Sequence, residues 1–149
     1  MKNPHAILLD AIKTKTATIG VIGLGYVGLP LVLRFCEEKF KVIGFDIDIK
    51  KVNKLNSGRA YIDHIDTTLL KNSIDQGFLA TNDFSKISHT DIMIICVPTP
   101  LGHHNEPDLS YIHGTLNAIK SYIKKNQLLI LESTTYPGTT EEEIIPFVE

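Results

Sequence analysis

The sequence predicts an α/β fold, a doubly wound parallel sheet in a single domain. Three observations predict it. Strand-like and helix-like segments alternate along the chain, as parallel strands joined by crossover helices do. The strand candidates are continuous apolar runs, the pattern of strands covered on both faces. A glycine-rich turn joins the first of these runs directly to an amphipathic helix.

Taken in order, residues 5–13 read as a short leading helix. Residues 18–24 are β-branched and nearly all apolar, a buried strand. Leu29, Val32, Leu33 and Cys36 then fall at i, i+3, i+4 and i+7, one face of a helix. Residues 41–46 form the second strand. A short polar helix over 49–56 is ended by Ser57-Gly58. Residues 67–76 read as helix with Gly77 closing it, and 78–81 as a short strand. Residues 92–97 are a strong buried strand. Asp108, after Pro107, caps a helix over 109–125 whose inner face is Leu109, Ile112, Leu116, Ile119 and Ile123. Lys120, Lys124 and Lys125 suit the negative end of that helix. Residues 128–131 are the fifth strand, and Thr139 or Thr140 caps a last helix opening on Glu141, Glu142 and Glu143. The acidic run serves the helix dipole rather than acid/base chemistry. A sixth strand would complete the doubly wound order. The expectation is therefore a truncated domain over residues 17–149, behind an N-terminal extension of residues 1–16.

Composition narrows the function. Fifteen basic and 17 acidic side chains nearly balance, so no electrostatic footprint for nucleic acid is present. No apolar run approaches the ~18 residues of a membrane span, and residues 7–9 are too brief a run for a signal-peptide core. The expected location is the cytoplasm. Cys36 and Cys96 lack a CxxC spacing and read as small buried hydrophobes. His103-His104 has no third ligand at metal-site spacing and reads as a solvated loop.

The chemistry sits in Gly23-Leu24-Gly25-Tyr26-Val27-Gly28, a G-x-G-x-x-G turn. The first glycine permits a tight strand-to-helix turn. The second lets the backbone approach a pyrophosphate, and the third lets helix pack closely on strand. N–H groups at the helix start then face the phosphates. Context strengthens the motif, because a buried strand precedes it and an amphipathic helix follows. Asp46 ends the second strand 18 residues past Gly28, close to the spacing of a ribose-binding acid. A carboxylate there accepts from the adenosine 2′-OH and repels a 2′-phosphate, which selects NAD over NADP. Lys51 either points at the adenine ribose or phosphates, or is a solvated helix lysine.

Ligands of open α/β sheets bind at the carboxyl ends of the strands. Two later ends are unusual here. Val97-Pro98-Thr99-Pro100 offers the Thr99 hydroxyl on a stiff turn. Glu132-Ser133-Thr134-Thr135-Tyr136-Pro137-Gly138 presents several hydroxyls near the expected nicotinamide end. Spacing alone leaves open that both are simply turns.

Together these stretches resemble the NAD-binding N-terminal domain of the UDP-glucose/GDP-mannose dehydrogenase family. The matching residues are Gly20 to Pro30 around the glycine turn, Gly44-Phe45-Asp46-Ile47-Asp48, Cys96-Val97-Pro98-Thr99-Pro100 and Ser133-Thr134-Thr135-Tyr136-Pro137-Gly138. Within it the chain is most similar to the UDP-N-acetylglucosamine 6-dehydrogenase branch. Tyr61-Ile62-Asp63-His64-Ile65, Glu106-Pro107-Asp108-Leu109-Ser110-Tyr111 and Glu132, where UDP-glucose enzymes usually carry Lys, point there. UDP-N-acetylgalactosamine enzymes share part of this pattern.

The resemblance implies oxidation of a sugar C6 alcohol to a carboxylate with two NAD⁺, through an enzyme-bound thiohemiacetal and thioester. It places the nucleophilic cysteine, an assisting lysine and most UDP-sugar contacts outside these 149 residues. Neither Cys36 nor Cys96 matches the nucleophile motif, so no catalytic residue is expected in this chain. Tyr26, Val27, Asp46, Lys51, Thr99 and Thr134 are the implied NAD contacts beside the glycine turn. Thr134 is also placed to help position a proton or water in the full enzyme. Homo-oligomers are implied for full-length members. Two rivals remain: a non-catalytic NAD-sensing or interaction module sharing the turn and Asp46, and a 6-phosphogluconate- or hydroxyacid-type dehydrogenase with different loops after the later strands.

Overall fold

The structure, a computed structural model, describes residues 3–148. Five strands, β1 (Thr18–Ile22), β2 (Lys41–Phe45), β3 (Leu79–Thr81), β4 (Ile92–Ile95) and β5 (Leu128–Leu131), form one parallel sheet in the order β3-β2-β1-β4-β5. Gly20 stands opposite Ile43 on one side and Met93 on the other. The chain winds outward from β1 in one direction, then crosses back to β4. That reversal opens a crevice beyond the carboxyl ends of β1 and β4. The expected doubly wound sheet is thus present.

Among the described residues six α-helices cover it: α1 (Pro4–Lys13), α2 (Gly28–Glu37), α3 (Ile49–Asn56), α4 (Thr67–Asp75), α5 (Ser110–Ile119) and α6 (Ile145–Val148). On one face Ile19 and Val21 of β1 pack with Leu29, Val32, Leu33 and Cys36, the stripe read from the sequence. On the other, Ile22, Phe45, Met93 and Ile95 pack with Ile112, Leu116 and Ile119 of α5. Helix α1 leans on the first layer through Leu8, Ala11 and Ile12. Asn3, Asp48 and Asp66 cap α1, α3 and α4 by accepting from backbone N–H groups of the first turn.

Several expected boundaries move. β1 stops at Ile22 because Gly23 takes a φ of 95°, outside the range of a strand. The helix expected over 109–125 ends at Ile119. Its lysine-rich tail must instead turn back into β5, with Asn126 left-handed at φ 70°. Gln127 secures that turn by donating to the Ile87 and Thr90 carbonyls. Lys124 and Lys125 therefore lie beyond the helix end, while Lys120 is its C-cap. Asp108 does accept from the Ser110 N–H at 2.9 Å. Neither Thr139 nor Thr140 caps by its side chain as expected: the Thr139 hydroxyl donates to the Tyr136 carbonyl, and residues Thr140–Ile144 form a π-helical turn. A short 3₁₀ segment, Phe84–His89, opened by Asp83, lies where the sequence pattern predicts no element.

Candidate functional site

The first turn after β1 is shaped by its glycines in three different ways. Gly23 carries the positive φ, and a Cβ there would stand 2.6 Å from the Cys96 carbonyl oxygen. Gly28 lies against Gly23, where a Cβ would come within 1.7 Å of the Gly23 carbonyl oxygen. Gly25 differs from both: no atom lies within 4 Å of the position a Cβ would take. The space above it is what an approaching ligand backbone needs. The N–H groups of Gly25, Tyr26 and Val27 find no backbone acceptor among the described residues, and they sit where α2 begins. Unpaired N–H groups at a helix start favour anions.

Asp46 follows β2 and is 9% exposed. Its Oδ2 accepts from the Leu24 N–H at 3.0 Å and its Oδ1 from the Asp48 N–H at 2.9 Å. A carboxylate offers about four acceptor positions. The backbone thus fixes the group and leaves it capacity for hydroxyl donors from the crevice that it lines.

That crevice has a volume of about 1170 Å³. Nine of the ten residues selected from the sequence line it: Gly23, Leu24, Gly25, Tyr26, Val27, Asp46, Lys51, Thr99 and Thr134. Gly28 is outside the lining, and its role is the packing contact beneath the turn. The exposed rings and methyls of Tyr26 and Val27 stand at the rim, with Tyr26 83% exposed. Lys51 reaches over the Tyr61 ring, its Nζ 5.6 Å from the centroid. Thr99 and Thr134 arrive from the ends of β4 and β5. Those two ends are tied together by the Ser133 hydroxyl, which donates to the Val97 carbonyl at 2.8 Å. Ser133 is therefore structural rather than a free hydroxyl.

Sequence reading missed one wall. Tyr111, Gly114, Thr115 and Ala118 of α5 also line the crevice, on a stripe beside the core residues Ile112, Leu116 and Ile119. Their i, i+3, i+4, i+7 spacing, with three small residues, was the available signal. Glu132 lines the crevice at the end of β5. The paired loop residues His103 and His104 are exposed, and among the described residues no three His, Cys, Asp or Glu side chains gather as for a metal ion. No helix of the described residues is long and apolar enough to cross a membrane.

The thiols have distinct places. Cys36 is buried in the core, and burial pushes its thiol up. Cys96 lines the crevice, and burial with the nearby Glu132 carboxylate pushes it up to about 11. At pH 8 only about one Cys96 in a thousand would be thiolate, against roughly a quarter of a free thiol near 8.5. Iodoacetamide labelling followed by mass spectrometry is expected to run about 100-fold slower on the folded chain than in denaturant. Equal rates would show that burial does not control these thiols.

Residues 17–149 match the model of the UDP-glucose/GDP-mannose dehydrogenase family, NAD-binding domain. The chain belongs to this family. It is 36% identical over 135 residues to UDP-N-acetyl-D-glucosamine 6-dehydrogenase of Pseudomonas aeruginosa, covering 91% of this chain and 31% of that protein. It is 39% identical over 127 residues to UDP-N-acetyl-D-mannosamine dehydrogenase of Escherichia coli K12, covering 85% of this chain and 30% of that one. The crystal structure of NDP-N-acetyl-D-galactosaminuronic acid dehydrogenase from Methanosarcina mazei matches with a TM-score of 0.84 at 30% identity, over 100% of this chain and 34% of that one. A ternary complex of GDP-mannose dehydrogenase from Pseudomonas aeruginosa matches with 0.82 at 31%, over 88% and 31%. The chain thus spans about a third of the length of these relatives. As a family NAD-binding domain it takes NAD, and the open Gly25 turn beside the fixed Asp46 carboxylate fits that cofactor.

Proposed function

We propose that this chain is the NAD-binding part of a UDP-N-acetylhexosamine 6-dehydrogenase, with UDP-N-acetylglucosamine as the sugar nucleotide. The observation that carries the cofactor half is the pairing of an unobstructed Gly25 with a carboxylate held from below by Leu24 and Asp48. In this reading the N–H groups of Gly25 to Val27 hold the diphosphate, Asp46 takes the adenosine ribose hydroxyls, and Lys51 adds positive charge at that end. Thr99 and Thr134 line the far end with hydroxyls. NAD⁺ bound there would supply a hydride acceptor.

The sugar half is supported by the names of three relatives at 36–39% identity, which are dehydrogenases of UDP-N-acetyl-D-glucosamine, UDP-N-acetyl-D-mannosamine and NDP-N-acetyl-D-galactosaminuronic acid. The motif over residues 61–65 and Glu132 favour the glucosamine member among them. We extend the reading to a cytoplasmic, homo-oligomeric full-length enzyme. The 149-residue chain alone is expected to bind the dinucleotide without turning over sugar, because Cys36 is locked in the core and Cys96 is held protonated.

Calorimetric titration with NADH tests the first half, and a single saturable site is the expected result. No heat with folded protein would remove it. Incubation with UDP-N-acetylglucosamine and NAD⁺, followed at the NADH absorbance, tests the second half. Sustained NADH formation would overturn the expectation that the chain is inactive alone.

A further inference from the structure

Leu24 is pinned on three sides. Its side chain is fully buried in the layer that includes Ile62 and Phe78. Its N–H donates to Asp46. Its carbonyl accepts from the hydroxyl of Tyr61, a residue 37 positions away in the segment between α3 and α4. A trans peptide is planar, so the Gly25 N–H points opposite to the Leu24 carbonyl. Whatever fixes that carbonyl also aims that N–H. Gly25 has no side chain to resist rotation of the peptide, and glycine tolerates both orientations. The turn needs an external hold, and the Tyr61 hydroxyl is placed to give it.

We infer that Tyr61 is a positioning residue of the cofactor site: by holding the Leu24 carbonyl it sets the phosphate-facing N–H groups of the glycine turn before the dinucleotide arrives. This rests on the NAD reading of the crevice above. The phenol is suited to lasting donation, because burial, with Asp46 and Asp48 nearby, pushes its ionisation well above the ordinary tyrosine range. The Lys51 ammonium lies over the ring, 5.6 Å from its centroid, an attractive cation–π contact.

The test is Tyr61→Phe in the same 149-residue chain, which keeps the ring and removes only the donor. ADP-ribose carries the diphosphate and adenosine does not. ADP-ribose affinity is expected to fall about tenfold, while adenosine affinity stays within about twofold. In the ligand-free protein, ¹⁵N relaxation dispersion at the Gly25 amide is expected to be quiet in the parent and to show exchange in the variant. Equal weakening of both ligands would mean general loosening and overturn the inference. Unchanged ADP-ribose binding with a quiet Gly25 amide would overturn it too, and would leave the NAD reading standing. Absence of ADP-ribose binding by the parent would remove both together.

Discussion

Gly25→Val is expected to cost at least about 100-fold in dinucleotide affinity in a chain that keeps its stability, whereas Gly28→Ala is expected to destabilise the fold by more than about 3 kcal/mol. The two glycines belong to one motif and are three residues apart, yet their surroundings are opposite. A Cβ on Gly25 meets nothing within 4 Å, and the residue is not in the left-handed region. Valine there projects into the crevice without disturbing the protein, so stability should stay within about 1 kcal/mol. The same methyl groups occupy the space proposed for the diphosphate. Affinity for NADH should fall at least about 100-fold, or about 2.7 kcal/mol. At Gly28 the added Cβ would lie 1.7 Å from the Gly23 carbonyl oxygen, a backbone atom on a turn that is itself held by the Gly23 N–H to the Phe45 carbonyl at 2.8 Å. Neither side can swing away, and α2 would have to lift off β1. The cost should exceed about 3 kcal/mol, a large share of the stability of a small domain. Urea unfolding and calorimetry on both variants separate the roles. A Gly25→Val chain with parental NADH affinity would show that the diphosphate does not sit over this turn.

The contrast explains what could be read from the sequence. The glycine spacing, the helix stripe from Leu29 to Cys36 and the position of Asp46 are local patterns, and each follows from the period of one element or the length of one connection. They were legible, and the turn residues Gly23 to Val27 and Asp46 that they single out line the crevice. The hidden parts depend on contacts between distant segments. Tyr61 reaches the turn across 37 positions, and the sequence gives no sign that a loop tyrosine should find one particular carbonyl. Ser133 reads as one hydroxyl among several until its bond to Val97 shows it joining two strand ends. The early stop of α5 has the same origin. Its periodic pattern continues to Ile123, but Gln127 anchors the turn to the 3₁₀ segment and imposes the end from outside. The acidic run behaves likewise: Glu143 meets His113 of α5 at 2.8 Å and Glu142 accepts from the Tyr136 hydroxyl at 3.2 Å. Those contacts accompany the π-helical turn where a regular first helical turn was expected.

Asp46→Asn should shift the cofactor preference toward NADPH by on the order of 100-fold, the second large effect. A carboxylate and a phosphate charge about 4 Å apart repel by about 4 kcal/mol at an effective dielectric of 20, and solvent reduces this. The 2′-phosphate carries more than one negative charge near neutral pH. Around Asp46 the crevice is lined by Lys50, Lys51 and Lys54, none of which forms an ion pair among the described residues. Asp48 lines this end as well, so three lysines face two carboxylates, and removing one anion raises the local formal charge from +1 to +2. Asparagine keeps the size and can still accept one of the two backbone N–H groups that Asp46 now satisfies. The other loses its partner, for about 1–2 kcal/mol of stability. NADH itself should bind about tenfold more weakly, because an amide oxygen is a poorer acceptor for ribose hydroxyls than a carboxylate. The gain for NADPH should shrink with added salt if the lysines supply it. Measuring both dissociation constants at two ionic strengths distinguishes the causes. An unchanged NADH-to-NADPH ratio would mean that Asp46 only braces Leu24 and Asp48, and that discrimination against the 2′-phosphate is made elsewhere in the crevice.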